Sequence, residues 1–225
     1  MLAATGWGGS PHVPIDADDL DALLPELDDA PGPELAGGTT SDGLRFAGLD
    51  LTGDATGTRF LECELVDCDL DDVPFDRARF TTCRLADVRA TAASFVDATW
   101  LDVVLTGGRL GALTAHGAEL TRVLLHDVKV DFLDLRGATL VDVTFAGCRI
   151  GELDLTGADS RDLRFAGAEI GSLVLSGTRN RDVDLRGAEV TRLDGVTGLP
   201  GCTINRGQLA GWAEGLAAQL GIRVG

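Results

Sequence analysis

A large apolar residue recurs at every fifth position over most of this chain. From about residue 58 to residue 193 the series runs Phe60, Leu65, Leu70, Phe75, Phe80 and Leu85, then Phe95, Trp100, Leu105 and Leu110, and it continues as far as Val190. Ala90, Ala115, Ser160 and Asn180 depart from it. A helix repeats at about 3.6 residues and a strand at about 2, so a period of five fits neither. It predicts a repeat architecture, in which no unit can bury its own apolar face alone. The residue two before each of these centres is also small or apolar, as in Cys63, Val73, Ala78, Val103 and Val123. Two residues of every five therefore point inward and three outward.

A longer period lies inside the short one. Thr58, Ala78, Ala98, Ala118, Ala138, Ala158 and Thr178 form a column of small residues twenty apart. Leu113, Leu133, Leu153, Leu173 and Leu193 form a bulky one, and Phe60, Phe80 and Trp100 an aromatic one. Residues twenty apart are thus expected to stack, with four units to a turn and a four-sided cross-section. At about 4.8 Å per turn, 27 units make under seven turns, a rod of roughly 32 Å plus its ends. Leu44, Phe46, Leu49 and Leu51 begin the repeat in an offset frame, with a slip of one residue expected near Thr56.

Units such as Ala-Glu-Leu-Thr-Arg at 118–122 and Leu-Asp-Leu-Thr-Gly at 153–157 resemble those of the pentapeptide repeat family. That resemblance covers about 150 residues and implies an all-β fold, a right-handed quadrilateral parallel β-helix. Ser160 and Asn180 fall in one inward column, where buried polar groups need partners, and a Ser–Asn ladder near one end is expected.

The two ends differ from the repeat. Residues 1–40 hold eight acidic residues and no Lys or Arg. Val13, Ile15, Leu20, Leu23, Leu24 and Leu27 are spaced for a short amphipathic helix, followed by a Pro- and Gly-rich linker from Ala30. The expected organisation is an acidic arm at 1–40, a β-helix at 41–194 and a helical cap at 195–225. In the last part Gln208 to Leu220 reads as a helix with Leu209, Trp212, Leu216 and Leu220 on one face. It caps the last coil, as a solenoid requires. In the second reading of the same face it also joins two copies into a homodimer, as C-terminal helices do in several members of the family.

Charge and composition narrow the chemistry. The net charge of −17 disfavours direct binding to nucleic acid, which needs Lys and Arg against phosphate. It suits either plain solubility or contact with a basic surface of another protein. No run of 18 apolar residues is present and the first residues do not read as a secretory signal, so no membrane span and a cytoplasmic location are expected. The five cysteines lack a Cys-x-x-Cys pair and read as free packed thiols. His116 and His126 are ten residues apart, which puts them on opposite sides of the rod. No metal, cofactor or catalytic constellation is expected, and the chain does not read as an enzyme.

The outward columns carry the functional expectation. Glu62, Asp102, Asp142, Asp162 and Asp182 share one column, and Leu101, Val104, Leu124 and Val141 lie along the same side. Together they form a candidate protein-binding edge, acidic with an apolar strip. The competing reading is that the N-terminal helix covers the strip. Asp87 with Arg89 and Asp127 with Lys129 are expected as neutralising neighbours. The resemblance extends to members that occupy the DNA-binding saddle of DNA gyrase and protect it from quinolones. It implies a protein-interaction rod, a DNA mimic with gyrase as its protein partner. The alternative is a scaffold with an unrelated protein partner.

Overall fold

Along each short strand, alternate side chains enter the core, as the pleat of a strand requires. In Thr99–Thr106 the inward residues are Trp100, Val103 and Leu105, all buried. The computed structural model describes residues 24–224. Its strands form a parallel solenoid of about nine turns, closed by one C-terminal helix. Thr99–Thr106 pairs in parallel with Arg79–Ala86 on the turn before and with Glu119–His126 on the turn after. Trp100 stands opposite Phe80 and Leu120, so the twenty-residue register is observed.

Each turn has four sides. Taking residues 102–121 as the example, the chain bends at Asp102, Gly107, residues 111–112 and Gly117. The first side is then 103–106, the second 108–111, the third 113–116 and the fourth 118–121. Three of these bends use a left-handed residue: Asp102 (φ 56°), Gly107 (φ 64°) and Gly117 (φ 69°). At the last, the Ala115 carbonyl accepts the Ala118 amide at 3.2 Å, a turn that needs positive φ at its third residue.

Stacking at this spacing aligns like side chains. Phe60 and Phe80 are 4.7 Å apart with rings 7° from parallel, and Phe75 and Phe95 are 5.0 Å apart at 10°. Phe145 and Phe165 repeat the arrangement at 5.1 Å. Cys63, Cys68, Cys83 and Cys148 are buried, and each thiol donates to a carbonyl of the preceding turn, as Cys83 does to Phe60 at 3.3 Å. Burial pushes the Cys83 thiol up to about 12 and Cys148 to about 11, so these groups pack and do not ionise near neutral pH.

The frame slip is real. Thr40 pairs with Arg59 and Arg45 with Glu64, nineteen residues apart, whereas Phe60 pairs with Phe80. Gly53 and Gly57 are left-handed corners only four residues apart, which places the missing residue between them. The coil also begins earlier than the start expected at residue 41. Asp28–Asp29 pairs with Leu44–Ala47, and Glu34–Leu35 with Thr52–Gly53. The Pro and Gly that resemble a linker here serve coil bends, and Leu35 enters the core. Leu24 and Leu27 are not helical; the remainder of the expected N-terminal helix lies outside the described residues.

The cap helix spans Arg206–Gln219. Asn205 caps it, accepting the Gln208 amide at 2.9 Å, while the Gln208 side chain accepts the Asn205 amide at 2.8 Å. Its contact with the coil differs from the expected Leu209–Trp212–Leu216–Leu220 face. Trp212 is buried and Leu216 packs beside it, but Leu209 is 53% and Leu220 62% exposed. The edge of the last turn presents backbone carbonyls, and apolar residues cannot satisfy them. Gln208 donates to Leu185 and Ala188, Trp212 Nε1 to Val190, and Gln219 to Leu193. At about 100° per residue, this donor stripe is rotated by roughly 80° from the leucine stripe.

The expected Ser160–Asn180 ladder does not form. The two residues are paired in register, but the Asn180 amide donates to Gly198 at 2.6 Å and to Thr178 at 3.0 Å. It ties the last turn to the closing segment. Ser160 is 0% exposed and its hydroxyl has no partner. Replacing it by alanine, Ser160→Ala, is expected to raise stability by about 1 kcal/mol, because an unsatisfied buried hydroxyl is removed. A lower denaturation midpoint for this variant would instead reveal a hydrogen bond to Ser160.

Candidate protein-interaction edge

The nine residues singled out as a binding edge do come together. Glu62, Asp102, Asp142, Asp162 and Asp182 stack along the first corner of the coil. Leu101 and Val141 lie just before that corner on the fourth side, in a column with Thr121 and Arg161. Val104 and Leu124 lie just after it on the first side, between Arg84 below and Thr144 above.

Backbone geometry explains why acids occupy this corner. Every residue in the column is left-handed, from Glu62 (φ 51°) and Thr82 (φ 53°) through Asp102, Arg122 and Asp142 to Asp162 and Asp182 (φ 55° and 56°). Asp tolerates that region better than most side chains, because its short polar group bonds locally. The second corner follows the same rule, holding Asp67, Asp87 and Asp127 or Gly107, Gly147 and Gly167. Asp exchanges with Gly at this fixed place because both tolerate the left-handed bend that recurs there.

Charge on the edge is partly cancelled from one turn to the next. Arg122 grips Asp102 with both ends of its guanidinium, at 2.6 and 2.7 Å. That hydrogen bond raises the Arg122 pKa further. Arg164 binds Asp142 at 2.8 Å, rather than the nearer-in-sequence Asp162. Glu62, Asp162 and Asp182 have no ion-pair partner among the described residues. The same turn-to-turn rule corrects the expected neighbours on the second side: Arg89 pairs with Asp67, one turn back, and not with Asp87. The Asp127 carboxylate lies 3.6 Å from His126, not against Lys129. Two residues along a strand often separate side chains around a bend, whereas register stacks residues of adjacent turns about 4.8 Å apart.

With five-residue units, four to a turn, and left-handed corners at a fixed position, the architecture is decided. This is the pentapeptide repeat fold. No protein-family model matches the chain, and no curated protein matches it. Among solved structures it is similar to full-length QnrB1, a plasmid-mediated fluoroquinolone resistance protein, at 17% identity over 87% of this chain and 100% of that one, with a TM-score of 0.35. A trypsin-treated variant of QnrB1 matches at 18% identity over 89% and 97%, with a TM-score of 0.34. HetL, a pentapeptide repeat protein involved in heterocyst differentiation regulation from the cyanobacterium Nostoc sp. strain PCC 7120, matches at 19% identity over 75% and 90%, with a TM-score of 0.30. The superpositions are loose, and the assignment of fold rests on the coil's own register.

Elsewhere on this pentapeptide repeat rod the described residues hold no cluster of three metal-ligating side chains. His116 and His126 are exposed on opposite sides, as expected, and His12 lies outside the described residues. An open groove of about 880 Å³ runs between the cap helix and the second side, past Arg149, Glu169 and Trp212. No helix among the described residues is long and apolar enough to cross a membrane.

The conformational origin of the acids can be measured at Asp162, which has no ion pair to lose. Asp162→Gly is expected to leave stability nearly unchanged, while Asp162→Val costs about 1–2 kcal/mol, because a β-branched residue is strained at positive φ. Equal denaturation midpoints for the two variants would contradict that account.

Proposed function

We infer that the chain is a non-enzymatic protein-interaction rod that presents its first corner to a protein partner. The observation that carries this reading is the corner itself: acids without ion pairs at Asp162 and Asp182, with the half-buried apolar residues Val141 and Leu124 on the sides just before and just after it. A rigid coil holds these side chains in fixed register, so little ordering entropy is lost when a partner binds. No backbone step of the rod needs to move.

The partner to test first is DNA gyrase, which the family resemblance and the acidic rod both suggest. A purified chain of this kind is expected to inhibit gyrase supercoiling, or to restore it in the presence of a quinolone, with Asp162→Asn and Asp182→Asn together weakening the effect. No effect at micromolar protein, beside a working control, removes gyrase. The scaffold reading, with an unrelated protein partner, is favoured by a specific observation: Arg122 and Arg164 neutralise Asp102 and Asp142, which breaks the run of charge a DNA mimic needs.

The cap helix supports a homodimer in the same terms. Leu209, Leu220, Ile222 and Val224 are all exposed at the end of the rod, an apolar group of the kind that marks a contact. Solution mass is expected to be that of a dimer, and Leu209→Asp with Leu220→Asp to give a monomer. A monomeric parent chain would leave the helix as a cap alone.

A further inference from the structure

Two arginines stand on one another without a counter-ion near the C-terminal end of the fourth side. Arg161 and Arg181 are direct partners in the register of adjacent turns, and both are exposed. Like charges placed opposite each other on neighbouring strands destabilise the pair. Elsewhere acids relieve such stacks. In the run of cations on the second side, Arg89 to Arg149, the outer members reach Asp67 and Glu169. On the fourth side Arg179 stands on Asp159 and bonds it at 3.1 Å. Neither Arg161 nor Arg181 forms an ion pair among the described residues.

The two guanidiniums line one cavity. It opens on the fourth side, has a volume of about 410 Å³ and is bounded by Thr139, Val141, Asp159, Arg161, Arg179 and Arg181. Three of those side chains are cationic and one is anionic, in a chain whose net charge is −17. Asp162 and Asp182 follow the two arginines in sequence, but they sit on the left-handed corner and do not line the cavity. Along the column that holds Arg181 and Arg161, the next residue toward the N-terminus is the half-buried Val141. A doubly cationic end and an apolar floor therefore lie within about 10 Å, two turns of the coil.

We propose that this cavity binds an organic phosphate monoester, with the phosphate between Arg161 and Arg181 and the apolar body over Val141. Two planar guanidinium forks one turn apart, about 4.8 Å, can each donate a pair of hydrogen bonds to one tetrahedral anion. A carboxylate brings a single charge and leaves one arginine uncompensated. A phosphate monoester brings about −1.5 to −2 near neutral pH, which matches the pair. Arg179 is already bonded to Asp159, so it adds positive potential beside the head and is not needed to hold it. Binding also removes the repulsion between the stacked arginines. The site does not depend on a protein partner. On the interaction-rod reading it has a consequence for one: a bound phosphate extends the unpaired acids Asp162 and Asp182, so occupancy favours a basic partner at this corner.

The test uses the full chain without any protein partner, so it measures this site alone. Phenyl phosphate is titrated calorimetrically at fixed ionic strength, with phenol as the uncharged control. Phenyl phosphate is expected to bind saturably at one site per chain, phenol not to bind, and inorganic phosphate to compete. Arg161→Gln with Arg181→Gln is expected to lower the affinity at least about tenfold, the loss of one charge-assisted hydrogen bond or more. Arg109→Gln with Lys129→Gln removes the same charge from the second side and is expected to change it by less than about twofold, because exposed charges that far apart are screened. All four residues lie outside the core, and unchanged circular dichroism shows that the coil is intact. No saturable binding at millimolar phenyl phosphate overturns the proposal, as does a failure of inorganic phosphate to compete. It is also overturned if the Arg161 and Arg181 substitutions leave the affinity unchanged. An equal loss on the second side overturns it too, because general attraction to surface cations is then the cause.

Discussion

From Phe60 onward the residues of the rod stand, with one local shift near Ala166, on the residues twenty positions before them, because backbone hydrogen bonds between turns hold that register. A turn of the coil has no helix and no sheet of its own to satisfy its amides. Arg79 donates to Thr58, Thr99 to Ala78 and Glu119 to Ala98, each at 2.8–2.9 Å. A displacement by one residue would carry every inward side chain to the surface. That cost fixes the register from Phe60 to Leu193, and the rest follows from it. Phenylalanines stack as parallel rings because they are one turn apart. Arginines such as Arg89, Arg122 and Arg164 find acids one turn away, while Arg136 and Arg186 fold back on the acid two residues before them. Corners take mostly Asp or Gly because the same left-handed bend recurs at the same place.

A coil of this kind has two open edges, and the structure treats them differently. At the C-terminal edge, side-chain amides and an indole from a single helix reach the exposed carbonyls of the last turn. The helix gives up its leucine face to do so, which leaves Leu209 and Leu220 in solvent. At the N-terminal edge the chain simply adds further short strands, Asp28–Asp29 and Glu34–Leu35, on turns of shorter register. Satisfying polar backbone thus outweighed burying two leucines, as expected from the larger penalty for an unpaired buried group.

The corner proposed as a recognition edge shows how structural and functional constraints overlap. Its carboxylates are there because the bend favours Asp, and two of the five are spent on arginines of the neighbouring turn. What distinguishes the edge is the remainder: acids without partners toward its C-terminal end, beside a side whose middle is covered. A surface of this kind is specified by what its neighbours leave unpaired rather than by composition.

The sequence determined the five-residue unit, the four-sided turn, the frame slip and the two inward columns, because burial and backbone pairing both repeat with the same period and reinforce one another. It also placed Glu62, Asp102, Val104 and Leu124 on one edge, since register alone settles which columns are neighbours. Only the tertiary structure decided which charges cancel, for that depends on side chains reaching across turns around a bend. The rotation of the cap helix was hidden for a similar reason: the leucine stripe is visible in the sequence, but the carbonyls that Gln208 and Gln219 must meet exist only once the last turn is closed. The burial of Val104 under Leu24 likewise joins residues eighty positions apart. An N-terminal cover for this strip was one of two readings open from the sequence, but which residue meets Val104 depends on the path the chain takes before Asp28.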